Sequence, residues 1–425
     1  MRKIFILFCT MVSMFSVFAA GAKDDSSKVL TILNGGDTKV GDTTVTAEVI
    51  KMLQKDFPGV KVEKYSVDMT GGGTLTIDSM IAAGNPPIVY YDSMVRMGKF
   101  MVPEYALPLN SYIRDLDKYS ESTLSPYTIN GDLLALPMQG GVQGMWVNLD
   151  IMKEIGYTVK PDWSVDDFLK MCELVKNKYN GERFGTSFFA ANQSGDYLIN
   201  NWFASFGVPF YEDRNYDKPI MADKGGAKVY AFYQTLMKNG YISKDAATLS
   251  DDDMIIQWYS GKLATAGFFP GWTKDYYKTA IDQGIIAKEP NYTFVPFPRA
   301  PGIKKVPSYA NIAVVVVHKT GTTIDKVAAR YAEYVNSPQI QAMFTKVIDV
   351  SSNRSDGILE PVNFHNSETA NIAKENGLMD VGIVDSRFPE RRAIQFPILQ
   401  KLLAFKISPE DAIVEYQNKM AAVTK

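Results

Sequence analysis

The first hundred residues alternate between the spacing of a β-strand and the spacing of an amphipathic helix. Val29 to Leu33 is a short β-branched run that ends at Asn34-Gly35-Gly36. Apolar residues then recur every four positions, which is typical of one buried helix face; they are Val45, Val49, Leu53 and Phe57. The order continues with a strand over Val60 to Val67, a helix over Thr74 to Ala83 and a strand over Ile88 to Tyr91. This succession predicts an open, mainly parallel sheet with helices on both faces.

Later segments contain both kinds of element. The stretch from Asp162 to Tyr179 predicts a helix, with Ser164 as its N-cap, Asp167 in the capping-box position and Trp163 placed to pack on Phe168. Further helices are predicted by apolar stripes or cap signals over Val229 to Leu236, over Met254 to Tyr259, over Asp325 to Asn336 and from Ser408-Pro409-Glu410-Asp411 onward. Strands are predicted over Leu263 to Phe269, just before Pro270-Gly271-Trp272, and over Ile312 to Val317.

Composition places the chain among folded proteins with two domains. It has 425 residues, of which 46% are hydrophobic and 22% are charged, so a packed core is expected and disorder is not. The formal net charge is -2, and no basic stripe is present that could neutralise phosphates, which excludes nucleic acid as a partner. Aromatic residues reach 12%, which fits either large cores or a pocket lined by rings.

The amino terminus predicts export. Met1-Arg2-Lys3 is a short basic start, Ile4 to Ala20 is apolar, and Ala20-Gly21-Ala22 has the small-x-small pattern of a cleavage site. We therefore expect residues 1–22 to be a signal peptide and the mature protein to lie in the periplasm or at the extracytoplasmic face of the membrane. An uncleaved anchor is the alternative, but the run is shorter than the roughly 20 residues that span a bilayer.

Several kinds of chemistry have little support in the sequence. Cys9 lies in the leader, so Cys172 has no partner for an internal disulfide, and its apolar helical face indicates a core position. Two scattered histidines, His318 and His365, argue against a zinc site. Gly71-Gly72-Gly73-Thr74 lacks the lysine and spacing of a nucleotide-binding loop. We expect no cofactor, no metal and no enzymatic activity.

A series of short motifs resembles the extracellular solute-binding proteins of family 1, the sugar-binding components of ABC importers that include maltose-binding proteins. The motifs follow the family's order over nearly the whole mature chain. They are Phe57-Pro58-Gly59-Val60-Lys61-Val62, Ala82-Ala83-Gly84-Asn85-Pro86-Pro87, Gly131-Asp132-Leu133-Leu134-Ala135-Leu136-Pro137, Val147-Asn148-Leu149-Asp150, Trp163-Ser164-Val165-Asp166-Asp167-Phe168 and Tyr259-Ser260-Gly261-Lys262-Leu263-Ala264. Ile88 stands where the family usually has an acid.

The resemblance implies a two-lobed, periplasmic-binding-protein-like α/β fold, with an open, mainly parallel sheet in each lobe. It implies an N-terminal lobe of residues 28–138 and 299–346 and a C-terminal lobe of residues 139–298 and 347–425. Crossing segments are expected near 136–142, 294–298 and 346–352. The ligand would lie in the cleft between the lobes, which agrees with binding beyond the carboxyl ends of strands, and hinge closure would present the loaded protein to a permease.

Five candidate ligand-binding residues lie at or just beyond predicted strand ends. Trp272 follows the strand that ends at Phe269, and in the family an aromatic residue after this strand commonly stacks on the sugar; packing against Phe269 is the alternative. Tyr91 and Asp92 end the third strand, where a carboxylate can accept from vicinal hydroxyls or can instead cap the next helix. Asn34 and Gly35 end the first strand, and their backbone can approach a ligand or form a plain turn.

The other candidates depend more heavily on the resemblance. Gln139 and Gln143 flank the expected first crossing, with Trp146 close behind, and amides suit sugar hydroxyls as well as surface positions. Trp202 is a second stacking candidate, with core packing as the alternative. The remaining candidates are Tyr309 and Asn311, which precede a buried strand, and Arg387 in the C-terminal segment.

Two functional classes remain after these comparisons of residue types. The favoured one is a monomeric, non-catalytic binding protein that captures a mono- or oligosaccharide and delivers it to an ABC permease. Within that class, a sugar phosphate, a polyamine or a peptide is the alternative ligand, although no arginine and lysine cluster supports a phosphate. The other class is an exported glycosidase, which needs a pair of facing carboxylates.

Overall fold

A computed structural model describes residues 29–34, 38–66, 73–268, 273–346, 351–357, 375–383 and 385–423. The expected leader and two of the candidate residues, Gly35 and Trp272, lie outside these ranges. Strands and helices alternate along the described chain, as the hydrophobic pattern predicts.

Residues 29–180 contain nine strands and six α-helices among the residues described there. The strands are β1 (Val29–Asn34), β2 (Lys39–Val40), β3 (Thr43–Thr44), β4 (Lys61–Ser66), β5 (Val89–Ser93), β6 (Thr128–Ile129), β7 (Asp132–Leu133), β8 (Leu136–Val142) and β9 (Gly144–Asn148). The helices are α1 (Val45–Asp56), α2 (Gly73–Ala82), α3 (Met94–Met97), α4 (Glu121–Leu124), α5 (Leu149–Glu154) and α6 (Val165–Tyr179).

The described chain after residue 180 is richer in helices. They are α7 (Asp196–Ser205), α8 (Ala227–Lys238), α9 (Asp251–Tyr259), α10 (Thr273–Asp282), α11 (Ile324–Val335), α12 (Pro338–Phe344), α13 (Phe388–Leu403) and α14 (Pro409–Ala422). The strands are β10 (Thr265–Phe268), β11 (Tyr292–Val295), β12 (Ala310–Val317) and β13 (Ser351–Ser352).

The cap signals in the sequence are confirmed. The Ser164 side chain accepts a hydrogen bond from the Asp167 amide at 3.0 Å, and the Asp167 carboxylate accepts from the Ser164 amide at 3.0 Å. The Trp163 and Phe168 rings meet edge to face at 5.6 Å. At α14, Ser408 accepts from the Asp411 amide at 3.1 Å. These contacts join residues a few positions apart, which explains why the local sequence predicts them.

Two sheets organise the described chain. The first sheet has the strand order β13-β8-β12-β5-β1-β4, and the second has the order β10-β9-β11. β1 is parallel to β4 and β5, whereas β12 is antiparallel to β5 and β8. In the second sheet, β9 is antiparallel to both neighbours. The first sheet is therefore mixed and the second is antiparallel, and the expected mainly parallel order holds only for β4, β1 and β5. The reason is that β8 leaves the first sheet toward the second while β12 returns in the opposite direction.

Aromatic rings from several elements surround Trp202. Trp202 contacts Phe168, Phe232 and Phe297 with ring centroids 5.0, 4.5 and 5.5 Å apart. Cys172, on α6, is fully buried, and burial raises the pKa of its thiol well above the usual value. Its expected core position is confirmed.

Gly185 is required beside Cys172. A Cβ atom at Gly185 would lie 2.4 Å from the Cys172 Sγ atom, far inside van der Waals contact.

Within the described ranges, none of the helices combines the length and the apolar character needed to cross a bilayer.

The capping box of α6 provides a test of local stability. Replacing Ser164 by alanine removes the acceptor for the Asp167 amide, so we expect S164A to lower the free energy of unfolding by about 1 kcal/mol in urea titrations. Ser164→Thr retains a hydroxyl acceptor and should stay close to the parent. Equal stability of the alanine variant and the parent would show that the cap does not stabilise the protein.

Candidate functional site

The carboxyl ends of three strands of the first sheet lie side by side. Because β1 is parallel to β4 and β5, the last residues of these strands share one sheet edge. In the register, Asn34 lies opposite Tyr91 on one side and opposite Ser66 on the other. This edge is therefore built from residues that are far apart in the sequence.

The antiparallel strands extend the same edge. Asp92 lies opposite Val314, and Asn311 lies opposite Gly141. Gln139 lies opposite Ser352 of β13. The structure thus brings together five of the candidate residues at one edge of the first sheet, and we refer to this set as the strand-end cluster: Asn34, Tyr91, Asp92, Gln139 and Asn311.

Tyr91 connects the strand-end cluster to the amino end of α1. Its hydroxyl lies 3.1 Å from the Thr46 hydroxyl in a hydrogen bond, and Thr46 lies in the first turn of α1. Both Tyr91 and Asp92 are partly exposed. At the start of α1, the Val45 amide donates to the Thr38 carbonyl at 3.0 Å and the Ala47 amide to the Thr44 hydroxyl at 3.2 Å.

A single residue, Gln143, separates the first sheet from the second. β8 pairs within the first sheet up to Val142, and β9 begins in the second sheet at Gly144. The neighbours of β9 run toward this junction, since the last residue of β10, Phe268, lies opposite Gly144. Trp272, which follows shortly after β10 along the chain, lies outside the described residues.

Gln143 and Tyr309 lie inside the junction and not on an open wall. The backbone amide of Gln143 donates to the backbone carbonyl of Tyr309 at 2.9 Å. The Asn201 side chain donates to Gln143 Oε1 and accepts from the Tyr309 amide at 2.9 Å. Gln143 and Asn201 are fully buried, and Tyr309 is 1% exposed. These residues position the two chain crossings, and a direct ligand contact is not available to them in this conformation.

Trp146 and Trp202 are core residues. Both are fully buried. The Trp146 ring packs against Tyr292 and Phe294 with centroids 5.0 Å away, and Trp202 is enclosed by the aromatic cluster described above. Each ring thus lies in an apolar environment, which matches the core-packing alternative for Trp202, and a ligand contact by either tryptophan stays a prediction. Sequence alone does not distinguish a core tryptophan from a cleft tryptophan.

Arg387 has a structural role. Its guanidinium donates to both carboxylate oxygens of Asp385 at 2.7 and 2.6 Å and forms an ion pair with Asp217 at 2.7 Å. Burial raises the pKa of the Asp385 carboxyl, but hydrogen bonds from Arg387 and the nearby charges outweigh it, so the net pKa lies below the usual value. The guanidinium is thus engaged by two carboxylates, and the expected ligand contact of Arg387 stays a prediction.

Sequence reasoning missed two residues that position the site. One is Asn201, whose only signal was its place next to Trp202. The other is Arg354, with a side chain 3% exposed, which binds Asp115 at 2.6 Å and Asp356 at 2.8 Å. Arg354 thereby attaches the segment after β13 to the segment between α3 and α4. Charged residues of this kind have no sequence signal, because their partners lie far away in the chain.

A surface groove of about 520 Å³ lies between the β2–β3 hairpin and α12. It is lined by Val40, Thr43, Glu48, Gln339, Ala342, Met343 and Lys346. None of the candidate residues lines it, and its walls come only from elements packed on the first sheet. The strand-end cluster, where residues from many strands converge, is the better candidate for ligand binding.

Comparisons with known proteins give a consistent family assignment. The family model described as "Bacterial extracellular solute-binding protein" matches residues 36–342. The arabinooligosaccharide-binding protein of Bacillus subtilis (strain 168) is 25% identical over 297 residues, which cover 62% of this chain and 64% of that protein. The match thus spans somewhat less than two thirds of the length of that relative.

Solved structures share the fold. The sugar-binding protein MalE from the phytopathogen Xanthomonas citri superposes with a TM-score of 0.75 at 16% identity, over 92% of this chain and 96% of that chain. The cyclic alpha-maltosyl-1,6-maltose binding protein from Arthrobacter globiformis has a TM-score of 0.73 at 14% identity, over 93% of this chain and 98% of that chain. The expected two-lobed, periplasmic-binding-protein-like α/β fold is confirmed.

The ion pair of Asp385 provides a pH-dependent test. Asp385→Asn leaves buried Arg387 without its closest carboxylate, so we expect a loss of about 3 kcal/mol of unfolding free energy at pH 7. Since the folded-state pKa of Asp385 lies below its unfolded value of about 3.9, its contribution is complete above that pH and is lost as the pH falls through the folded pKa. Below about pH 4, the parent should therefore lose stability more steeply than D385N in urea titrations.

Asp217→Asn is the matched control for this measurement. The Asp217 side chain is 71% exposed, so removal of its charge should cost less than about 1 kcal/mol. Equal losses for the two variants would contradict a dominant role of the buried pair.

Proposed function

Because this chain belongs to the bacterial extracellular solute-binding proteins, we propose that it is the non-catalytic capture component of an ABC importer and that it binds a mono- or oligosaccharide. The observation that carries this proposal is the strand-end cluster, in which the positions of five polar residues from four strands share one sheet edge beside the junction between two sheets. Ligand binding at such a position is the general behaviour of open α/β sheets.

The strand pairing supports a division into two lobes with crossings at three places. We propose the first crossing at Gln143 and the second at Tyr309, where the two strands exchange the hydrogen bond described above. Pro296 accepts from Trp163 at 2.9 Å and Arg299 donates to Asp162 at 2.9 Å, which supports assigning residues 294–298 to the second lobe and not to a crossing.

The third crossing is expected near 346–352, and residues 347–350 lie outside the described ranges. Ser351 and Ser352 pair with β8 in the first sheet, and Arg354 forms an ion pair with Asp115. These contacts support placing residues 351–357 with the first lobe.

The chemistry of the strand-end cluster supports a sugar. A carboxylate such as Asp92 accepts hydrogen bonds from two vicinal hydroxyls, and the amides of Asn34, Gln139 and Asn311 can both donate and accept. Trp272 would stack on the apolar face of a sugar ring. The names of the similar proteins support the same class, since they are binding proteins for arabinooligosaccharide and for a cyclic maltosyl-maltose.

The alternatives have less support. A sugar phosphate favours arginine at the site, but Arg354 and Arg387 are engaged by carboxylates, as is Arg392 by Asp196. A glycosidase needs a second carboxylate roughly 5–10 Å from the first. The residues next to Asp92 in the sequence, Tyr91 and Ser93, carry hydroxyl groups, and Val314 opposite it is apolar, which gives a glycosidase less support.

Export and delivery complete the proposal. The basic start, apolar run and cleavage pattern of residues 1–22 are those of a secretory leader, and the family is an extracellular one. Closure of the lobes around the solute would form the surface that a permease recognises, because a ligand that contacts both lobes favours the closed state.

The role of Asp92 gives the first binding test. We expect native mass spectrometry of the purified protein to detect a bound saccharide that is released by mild denaturation. With that saccharide in calorimetric titrations, Asp92→Ala should weaken the Kd by about tenfold or more, because a charged hydrogen-bond acceptor is lost. Asp252→Ala, a change to an exposed carboxylate on α9, should leave the Kd unchanged. A purified protein that binds no saccharide from a broad panel would contradict the proposal.

The role of Trp272 gives an independent test. Trp272→Ala removes the proposed stacking surface, whereas Trp272→Phe retains an aromatic face. We expect the alanine variant to weaken saccharide binding by about ten- to a hundredfold and the phenylalanine variant by much less, because aromatic contacts contribute on the order of 1–3 kcal/mol. Unchanged affinity of both variants would assign Trp272 to packing.

A further inference from the structure

We propose that Asn201 is a positioning residue that fixes the second lobe to the first two chain crossings and thereby sets the resting arrangement of the lobes. This inference rests on the proposed two-lobed function, but it concerns the protein without ligand. The term crossing clasp is used here for the three residues that carry it: Gln143, Asn201 and Tyr309.

The crossing clasp continues the hydrogen-bond ladder of the first sheet. Ala310 lies opposite Val142 as the last pair of β12 and β8. The next bond in the same direction joins the Gln143 amide to the Tyr309 carbonyl at 2.9 Å. The Asn201 side chain then bonds to both strands, through Gln143 Oε1 and the Tyr309 amide. The clasp is thus one step beyond the first sheet.

Asparagine suits this position by its chemistry. One bond of the clasp requires a donor on residue 201 and the other requires an acceptor, and a carboxamide supplies both on a short stem. The three residues are 0–1% exposed. Since buried polar groups without partners are costly, loss of either bond penalises the arrangement that the clasp holds.

The helix that carries Asn201 is fixed within the second lobe. The Ile199 carbonyl of α7 accepts from the Tyr233 hydroxyl at 2.8 Å, and Asp196 forms a two-pronged ion pair with Arg392 at 2.5 and 2.7 Å. The neighbouring Trp202 is packed in the aromatic cluster. Because α7 moves with the second lobe, a bond from Asn201 to the crossing strands transmits the orientation of that lobe to the first sheet.

The geometry also separates Asn201 from its neighbour. Asn200 is 3% exposed and has no described hydrogen bond to either crossing strand. Both asparagines are therefore buried polar residues of the same helix, but only Asn201 links the lobes. An effect on the lobe arrangement that is specific to Asn201 would not arise from general loss of stability.

The test measures the distance between the lobes without any sugar. Spin labels are placed on Lys55→Cys in α1 and Lys238→Cys in α8, two exposed sites on opposite lobes; Cys172 is fully buried and should not react. We expect the doubly labelled parent to give one dominant distance by pulsed electron paramagnetic resonance. Asn201→Ala should change the ratio of open to closed lobe arrangements by about tenfold, or broaden the distribution of distances between the labels, because two buried hydrogen bonds are lost.

Asn200→Ala is the matched control and should leave the distance distribution unchanged, even where its thermal midpoint falls as much as that of N201A. If N201A does not fold, Gln143→Leu removes one bond of the clasp and should shift the distribution in the same direction. The proposal would be overturned if N201A folds and keeps the parent's distance distribution. If N201A does not fold, a folded Gln143→Leu variant with the parent's distribution would overturn it. The same holds if N200A shifts it equally.

These results are separate from those for sugar binding. A shift in N201A together with no saccharide binding by the parent would support the clasp and reject the sugar assignment. Saccharide binding by a parent and a folded N201A with identical lobe distances would reject the clasp and leave the proposed function intact.

Discussion

The rest of the structure depends on the buried hydrogen bonds at the place where the chain passes between the two sheets. Gln143 lies between β8 of the first sheet and β9 of the second, and Tyr309 directly precedes β12 of the first sheet. Both are buried, so their polar groups depend on partners within the protein. Their mutual backbone bond and the bonds to Asn201 engage the backbone amide and the side-chain oxygen of Gln143 and both backbone groups of Tyr309. The Gln143 Nε2 atom is buried without a hydrogen-bond partner among the described residues.

The directions of these strands in turn decide which residues share a sheet edge. β1, β4 and β5 end at the same edge because they are parallel, and β12, which is antiparallel to β5, begins there. The register then places Asn34 beside Tyr91 and Asn311 beside Gly141. Strand order thus brings residues that are distant in the sequence to neighbouring positions, which no single sequence motif encodes.

Aromatic and charged residues show how tertiary context separates structure from function. Trp146 and Trp202 have aromatic side chains that suit a ligand contact, yet each is enclosed by other rings. Arg387 had the charge expected of a ligand contact, yet Asp385 and Asp217 engage its guanidinium. In each case the side chain is compatible with both roles. Only the identity of its neighbours decides between them.

Sequence alone predicts the features that depend on contacts between residues a few positions apart. The capping box of Ser164 and Asp167, the cap at Ser408 and the alternation of strands and helices all belong to this group, as does the family resemblance carried by short motifs. Tertiary structure decided the features that join distant residues. Asn201 reaches Gln143 across 58 positions and Tyr309 across 108, and the mixed strand order depends on the same crossings. Local periodicity does not encode such partners, because a hydrogen bond between distant residues forms only once the strands that carry them have packed.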